Sequence, residues 1–148
     1  MVTWNLGDLF EGVVDEVGDR LAVVAGSRRS TYRDLDDRAN RLAHVLEGAG
    51  VGPGDHVAVA LRNGNEYLEA MLAAFKLRAV PINVNTRYTV DELAYLIADA
   101  ALSAVVVTTR HDSHARLVVQ AIAAGRHVFV EKPLALRLDE LAAIEAAI

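Results

Sequence analysis

Short valine-rich runs alternate with segments of helical periodicity along the chain, and this alternation constrains the fold more than any other feature. The runs are apolar throughout instead of alternating with polar residues, which is typical of strands covered on both faces. Strands that alternate with helices indicate βαβ units and a parallel sheet. Five strands are predicted, at Leu21–Ala25, His56–Ala60, Val80–Val84, Ala104–Thr108 and His127–Val130.

The segments between these strands have helix ends that can be read from the sequence. Thr31 with Asp34, and Thr89 with Glu92, have the spacing of N-terminal capping boxes. Gly125 follows a helix that begins near residue 112, where a left-handed C-terminal cap is expected. The sequence therefore predicts an α/β fold in which a parallel sheet of about five strands lies between helices, as a Rossmann-like three-layer sandwich. A length of 148 residues suits one domain.

Composition narrows the classes of partner. The net charge is -5 and the Lys and Arg residues are scattered, which argues against a nucleic-acid partner. No stretch approaches the roughly 20 apolar residues of a membrane span, and no targeting segment is indicated, so we expect a cytoplasmic protein. Cysteine is absent, which excludes thiolate metal sites and cysteine nucleophiles. An apolar stripe continues to the last residue, and we interpret this as the mark of a truncated segment: Leu138, Leu141, Ile144 and Ile148.

Several residue groups that suggest a ligand site have simpler interpretations. His111 and His114 are three residues apart, but no further ligand is placed to complete a metal shell, so we predict structural roles and no metal. A glycine cluster after the second helix lacks the G-x-G-x-x-G spacing and indicates a turn: Gly48, Gly50, Gly52 and Gly54.

Two further groups lie on helices. We interpret one charged group as a solvated helix face held by local ion pairs: Asp36, Asp37, Arg38 and Arg41. An apolar stripe at spacing four is predicted to be core and not an acyl pocket: Tyr67, Met71 and Phe75.

Residues 3–102 carry a dense series of motifs. They include W-N-L-G-D-L-F at 4–10, S-T-Y-R-D-L-D-D-R-A-N-R-L-A at 30–43 and G-V-G-P-G-D-H-V-A-V at 50–59. This part of the chain resembles the N-terminal part of adenylate-forming fatty acyl-CoA synthetases. The resemblance implies AMP-binding ligase chemistry that uses ATP and coenzyme A. It implies no catalytic residue here, because the family's phosphate loop, AMP ligands and C-terminal lysine have no counterpart in the sequence.

A different resemblance begins near Ala104. The sequence A-G-R-H-V-F-V-E-K-P, in which E-K-P directly follows a strand, is similar to the Gfo/Idh/MocA oxidoreductases. The resemblance implies that Lys132 is a catalytic residue beside the nicotinamide, and that Thr109, Glu131 and Lys132 bind the cofactor. The glycine-rich pyrophosphate loop and the acidic ribose ligand of that family are missing.

The sequence thus predicts one domain over residues 1–148, with an acyl-CoA synthetase-like part at 1–102 and a Gfo/Idh/MocA-like part at 103–148. We expect no catalysis by the chain alone and no tightly bound cofactor: NAD(P) would bind weakly at most, and ATP or CoA is implied only by lineage. Two alternatives stay open, an NAD(P)-binding oxidoreductase fragment and a non-catalytic folding unit. The expected partner is a small molecule, or a second copy through an exposed sheet edge.

Overall fold

The computed structural model describes residues 4–85 and 87–148. The elements in chain order are α1 (Leu6–Val17), β1 (Leu21–Ala25), β2 (Arg28–Thr31), α2 (Tyr32–Gly48), β3 (His56–Leu61), α3 (Asn65–Lys76), β4 (Val80–Asn83), α4 (Val90–Asp99), β5 (Leu102–Thr108), α5 (His111–Ala123), β6 (His127–Val130) and α6 (Leu138–Glu145).

These elements form two compact units. The helical unit comprises the described residues up to Asp55 together with Asn63–Pro81, and the sheet unit comprises His56–Arg62 together with the described residues from Ile82 onward. That residues 1–148 behave as a single domain stays a prediction.

In the helical unit, α2 packs against α3. The buried residues of the two helices are mostly small, and they include Ala39 and Ala43 on α2, and Ala70, Ala73 and Ala74 on α3. The predicted core stripe of Tyr67, Met71 and Phe75 is only half-buried. The alanines of α3 are buried more completely than these larger side chains, and that the stripe is core and not an acyl pocket stays a prediction.

Ion pairs connect the helices of this unit over long distances in sequence. The Lys76 ammonium contacts the carboxylates of Asp36, at 2.9 Å, and Glu11. The Glu69 carboxylate is buried and contacts the guanidinium groups of Arg28 and Arg38. The prediction of a solvated α2 face with local ion pairs was therefore wrong for Asp36 and Arg38, which form ion pairs with Lys76 and Glu69 of α3.

The sheet unit contains β3, β5, β6 and the second half of β4, and these strands form the parallel sheet that the sequence predicts. The strand order is β4-β3-β5-β6, and both the β3–β5 and β5–β6 pairs are parallel. Its core lies between β3, β5 and the helices α4 and α5, and includes Leu93, Ile97, Leu102, Val105, Val107 and Leu117. The α/β prediction is confirmed. On α6 only Ile144 is buried, whereas Leu138 at the start of the helix and Ile148 after its end are exposed.

One predicted strand lies elsewhere. β1 pairs antiparallel with β2 in a separate two-stranded sheet of the helical unit, joined by a two-residue turn in which Gly26 has φ +60°. The parallel sheet therefore has four strands instead of about five. The sequence R-R-S-T of β2 is polar, so it gave no strand signal, and without β2 the antiparallel partner of β1 was missed.

Both predicted capping boxes are present. At α4, the Thr89 hydroxyl accepts a hydrogen bond from the Glu92 amide at 3.4 Å, and the Glu92 carboxylate accepts one from the Thr89 amide at 2.8 Å. The same reciprocal pair joins Thr31 and Asp34 at α2. Gly125 has φ +69° after α5, which confirms the predicted left-handed cap.

Thr89→Ala is expected to lower the free energy of unfolding of the sheet unit by about 1 kcal/mol, because an amide at the start of α4 loses its acceptor. The hydrogen bond from the Thr89 amide holds the pKa of Glu92 below its ordinary value of 4.5. The carboxylate's contribution to the cap is therefore complete above that pH, and is lost as the pH falls through the folded-state pKa. Urea unfolding of the wild-type chain and of Glu92→Gln at pH 7 and pH 3.5 measures this contribution, and an equal stability difference between the two at both pH values would contradict the role of the Glu92 carboxylate.

Candidate functional site

The sheet changes its direction of winding between β3 and β5. After β3 the chain places β4 on one side, and it then returns to place β5 and β6 on the other. In open parallel sheets the loops diverge at such a point, and ligands bind in the crevice outside the carboxyl ends of the strands. Leu61 pairs with Thr108 at this edge, so Arg62 and Thr109 follow directly at the switch point.

A cleft of about 390 Å³ lies at this position in the sheet unit. We call it the switch-point cleft, and its lining residues are Arg62, Thr109, Arg110, His111, Asp112 and Leu136. Arg62 follows β3, the next four residues follow β5 or begin α5, and Leu136 lies between β6 and α6.

Hydrogen bonds within the β5–α5 turn fix one wall of the cleft. Thr109 is 8% exposed, and its hydroxyl lies 2.6 Å from the hydroxyl of Ser113. The Ser113 hydroxyl donates to the Arg110 carbonyl at 2.7 Å. The Arg110 guanidinium pairs with Asp112 at 2.7 Å. The polar groups of this turn therefore satisfy one another, which holds the wall in place without a ligand.

His114 connects this wall to the segment after β6. Its ring is completely buried, with Nδ1 2.8 Å from the Pro133 carbonyl oxygen and Nε2 3.0 Å from the Thr109 carbonyl oxygen. His111, in contrast, is exposed and contacts the His114 ring edge-on. The two histidines thus have different structural surroundings, and within the described residues no group of three or more His, Asp or Glu side chains is placed to hold a metal ion.

The predicted cofactor residues are only partly brought together. Thr109 lines the cleft, whereas Glu131 and Lys132 are exposed and are not among its lining residues. The Glu131 amide donates to the Val107 carbonyl at 3.0 Å, which extends the β5–β6 pairing by one residue. The sequence did not lead us to predict Arg62 as a site residue. Its place directly after a valine-rich strand does indicate a position at the carboxyl edge of the sheet, where ligands bind.

The helices give no candidate for a membrane span. Among residues 4–85 and 87–148, no helix is both long and apolar enough to cross a bilayer.

Comparison with known proteins matches almost the whole chain to one family. The sequence profile of the AMP-binding enzymes matches residues 10–146. The 3-oxocholest-4-en-26-oate–CoA ligase of Rhodococcus rhodochrous is 45% identical over 107 residues, which cover 72% of this chain and 19% of that enzyme. The medium/long-chain-fatty-acid–CoA/3-oxocholest-4-en-26-oate–CoA ligase of Mycobacterium tuberculosis H37Rv is 43% identical over 110 residues, covering 74% and 20%.

Solved structures agree at the level of the fold. The crystal structure of a putative long-chain-fatty-acid CoA ligase from Rhodopseudomonas palustris is similar with a TM-score of 0.78 and 30% identity, over 88% of this chain and 33% of that one. The chain spans about a fifth of the length of the curated relatives it matches.

The profile match continues through the point near residue 103 where the sequence resemblance changes. These relatives support the acyl-CoA synthetase-like part, and they lend no support to a Gfo/Idh/MocA segment or to the NAD and oxidoreductase properties that it implied. Because the match covers residues 10–146 of 148, the chain belongs to the AMP-binding enzyme family.

Proposed function

We propose that this chain is the N-terminal part of an ATP-dependent acid–CoA ligase whose substrate is a fatty acid or the carboxylic side chain of a steroid. The observation that carries the proposal is the 45% and 43% identity to ligases whose names give medium or long fatty acids and 3-oxocholest-4-en-26-oate as substrates. Both relatives are much longer than this chain, so the activity and the substrate class belong to the proposal.

We infer that the residues of this chain supply scaffold and not the chemistry. The motif at residues 30–43 builds the α2 cap through Thr31 and Asp34 and buries Leu35 and Ala39. The motif at 4–10 caps α1 in the same way, through Asn5 and Asp8. The sequence contains no Ser/Thr/Gly-rich loop of the kind that holds ATP phosphates. The 148 residues are therefore proposed to be inactive by themselves.

A segment exchange tests the proposal. Residues 4–102 of this chain are placed in the Rhodococcus rhodochrous ligase instead of its matching segment, and a second hybrid receives residues 4–148. We expect the first hybrid to keep ATP-dependent CoA ligation of 3-oxocholest-4-en-26-oate within about tenfold of the parent, because the exchange preserves the core and changes no proposed catalytic residue. The 148-residue chain alone is expected to form no acyl hydroxamate with ATP, acid and hydroxylamine.

The second hybrid tests where the ligase-like sequence ends. If it is also active, residues 103–148 are ligase sequence, and the resemblance to oxidoreductases is without functional meaning. If both hybrids fold, as judged by circular dichroism and gel filtration, but neither ligates, the scaffold proposal is wrong. Hydroxamate formation by the isolated chain would instead contradict its proposed inactivity.

The oxidoreductase alternative is less favoured. It needs Thr109, Glu131 and Lys132 around one nicotinamide, and only Thr109 is among the residues that line the switch-point cleft. Titration of the chain with NADH tests it directly, and a flat fluorescence trace to about 1 mM, equivalent to binding weaker than about -4.1 kcal/mol, removes it.

Light scattering on the same sample tests the proposed self-association through a sheet edge, which a clean monomer would contradict.

A further inference from the structure

We propose that the switch-point cleft binds a small organic phosphate monoester, with the Arg62 guanidinium as its anchor for the phosphate. The inference does not depend on the proposed ligase function, because it concerns residues of the sheet unit alone. It rests on the position of the cleft, on the charge of its lining and on its size.

Position is the first argument. Arg62 and Thr109 follow two neighbouring parallel strands on opposite sides of the change in winding direction. The loops diverge there for reasons of topology, so a crevice at this edge is a general binding position and not an accident of side-chain packing.

Charge is the second argument. Of the two arginines in the lining, Arg110 is neutralised by Asp112 at 2.7 Å. The Arg62 guanidinium is exposed and has no hydrogen-bond or ion-pair partner among residues 4–85 and 87–148. The lining therefore carries one uncompensated positive charge, which favours an anion. A guanidinium presents parallel donors that match two oxygens of a phosphate, and this geometry favours a phosphate over a spherical anion.

Size is the third argument. A cleft of about 390 Å³ falls within the roughly 300–1,000 Å³ of small-molecule sites. A site of this size has room for a ligand larger than one phosphate ion. Leu136 is 56% exposed and lies in the lining, so it offers an apolar contact. The ligand is therefore a phosphate on an organic body.

Binding of phenyl phosphate to the 148-residue chain tests the proposal, with inorganic phosphate and phenol as the two part-ligands, all at constant ionic strength. In amide NMR spectra, phenyl phosphate is expected to shift the signals of Arg62, Thr109, His111 and Leu136 with a Kd near 1 mM. Inorganic phosphate is expected to shift the same signals at several-fold higher concentration, and phenol to leave them unchanged.

Matched variants decide the role of Arg62. Arg62→Gln is expected to weaken binding of phenyl phosphate about tenfold, a change of about 1.4 kcal/mol. Arg87→Gln removes the same charge from an exposed position of the same unit outside the lining, and is expected to change Kd less than twofold. Arg62→Lys keeps the charge without the paired donors, so its Kd for phenyl phosphate should lie between those of the wild-type chain and Arg62→Gln. This variant tests the role of Arg62 if Arg62→Gln does not fold.

Three results would overturn the proposal. Equal weakening by Arg62→Gln and Arg87→Gln would mean that only net charge matters. Phenol binding as tightly as phenyl phosphate would show that the apolar body and not the phosphate is recognised. If phenyl phosphate shifts only the signals of residues outside the cleft, or shifts no signals up to about 10 mM, the cleft is not the binding site.

Discussion

Lys76→Met is expected to lower the free energy of unfolding of the helical unit by about 3 kcal/mol, because removing one partner of a desolvated ion cluster leaves the others uncompensated. The Lys76 side chain is only 7% exposed, and its ammonium contacts Asp36, whose side chain is 15% exposed. The Glu11 carboxylate is 53% exposed and can turn to water, so most of the loss comes from Asp36. Urea unfolding followed by amide hydrogen exchange measures the effect unit by unit.

Two controls accompany this variant. Asp36→Asn combined with Lys76→Met removes both charges and should recover a large part of the loss, since the Asp36 charge is then no longer left uncompensated at a buried site. Arg33→Gln removes an exposed ion pair with Asp19 in the same unit, and should change the free energy of unfolding by less than about 1 kcal/mol. If Arg33→Gln destabilises as much as Lys76→Met, the burial of the cluster is not the cause.

The same cluster sets an alkaline limit on the stability of the helical unit. Burial acts to lower the pKa of the Lys76 ammonium, but its hydrogen bonds with Glu11 and Asp36 and their charges raise the pKa above the ordinary value of 10.5. The stabilisation is therefore complete below about that pH and is lost as the pH rises through the folded-state pKa. Lys76→Met should remove this part of the pH dependence, which unfolding at pH 9 and pH 11 would reveal.

His114→Ala is expected to lower the free energy of unfolding of the sheet unit by about 3 kcal/mol. The change empties a completely buried site and leaves the carbonyl oxygens of Thr109 and Pro133 without their shared partner. An unsatisfied buried acceptor costs about 1–3 kcal/mol, and the cavity adds to this. Thermal unfolding by circular dichroism measures the loss, and hydrogen exchange should locate it in β5, β6 and the segments that follow them.

His111→Ala is the matched control for this variant. His111 is exposed and touches the same ring from outside, so its removal should change the free energy of unfolding by less than about 0.5 kcal/mol. Similar losses in both variants would indicate that the ring–ring contact matters more than the two carbonyl partners. A silent His114→Ala variant would show that the carbonyls find water instead.

Local patterns in the sequence were enough to find most elements of the fold. β3 and β5 are valine-rich because they are covered on both faces, and the T-x-x-D and T-x-x-E spacings identified the caps of α2 and α4. α1 was missed although Asn5 and Asp8 have the same capping spacing. β2 was missed because its side chains are polar and its pairing depends on a tight turn.

Features that depend on distant partners could not be predicted in this way. Glu69 lies on α3 in a helical pattern that suggests only a solvated carboxylate. Its burial depends on ion pairs with Arg28 and Arg38, which lie more than 30 residues earlier in the chain. Arg62 belongs to the cleft because β3 lies beside β5 and not beside β6. Thr109 could be predicted, since its own strand and helix place it, whereas the identity of its neighbours required the strand order.

The parallel register of β3 and β5 also bears on how the chain emerges from the ribosome. His56 pairs with Leu102, which is 46 positions later, the difference between the two residue numbers. At translation speeds of about 5–20 residues per second, the edge of β3 that pairs with β5 stays unpaired for roughly 2–9 s after β3 is synthesised. Throughout that interval the edge of the apolar strand His56–Leu61 that later pairs with β5 has unpaired backbone groups and is open to pairing with other chains.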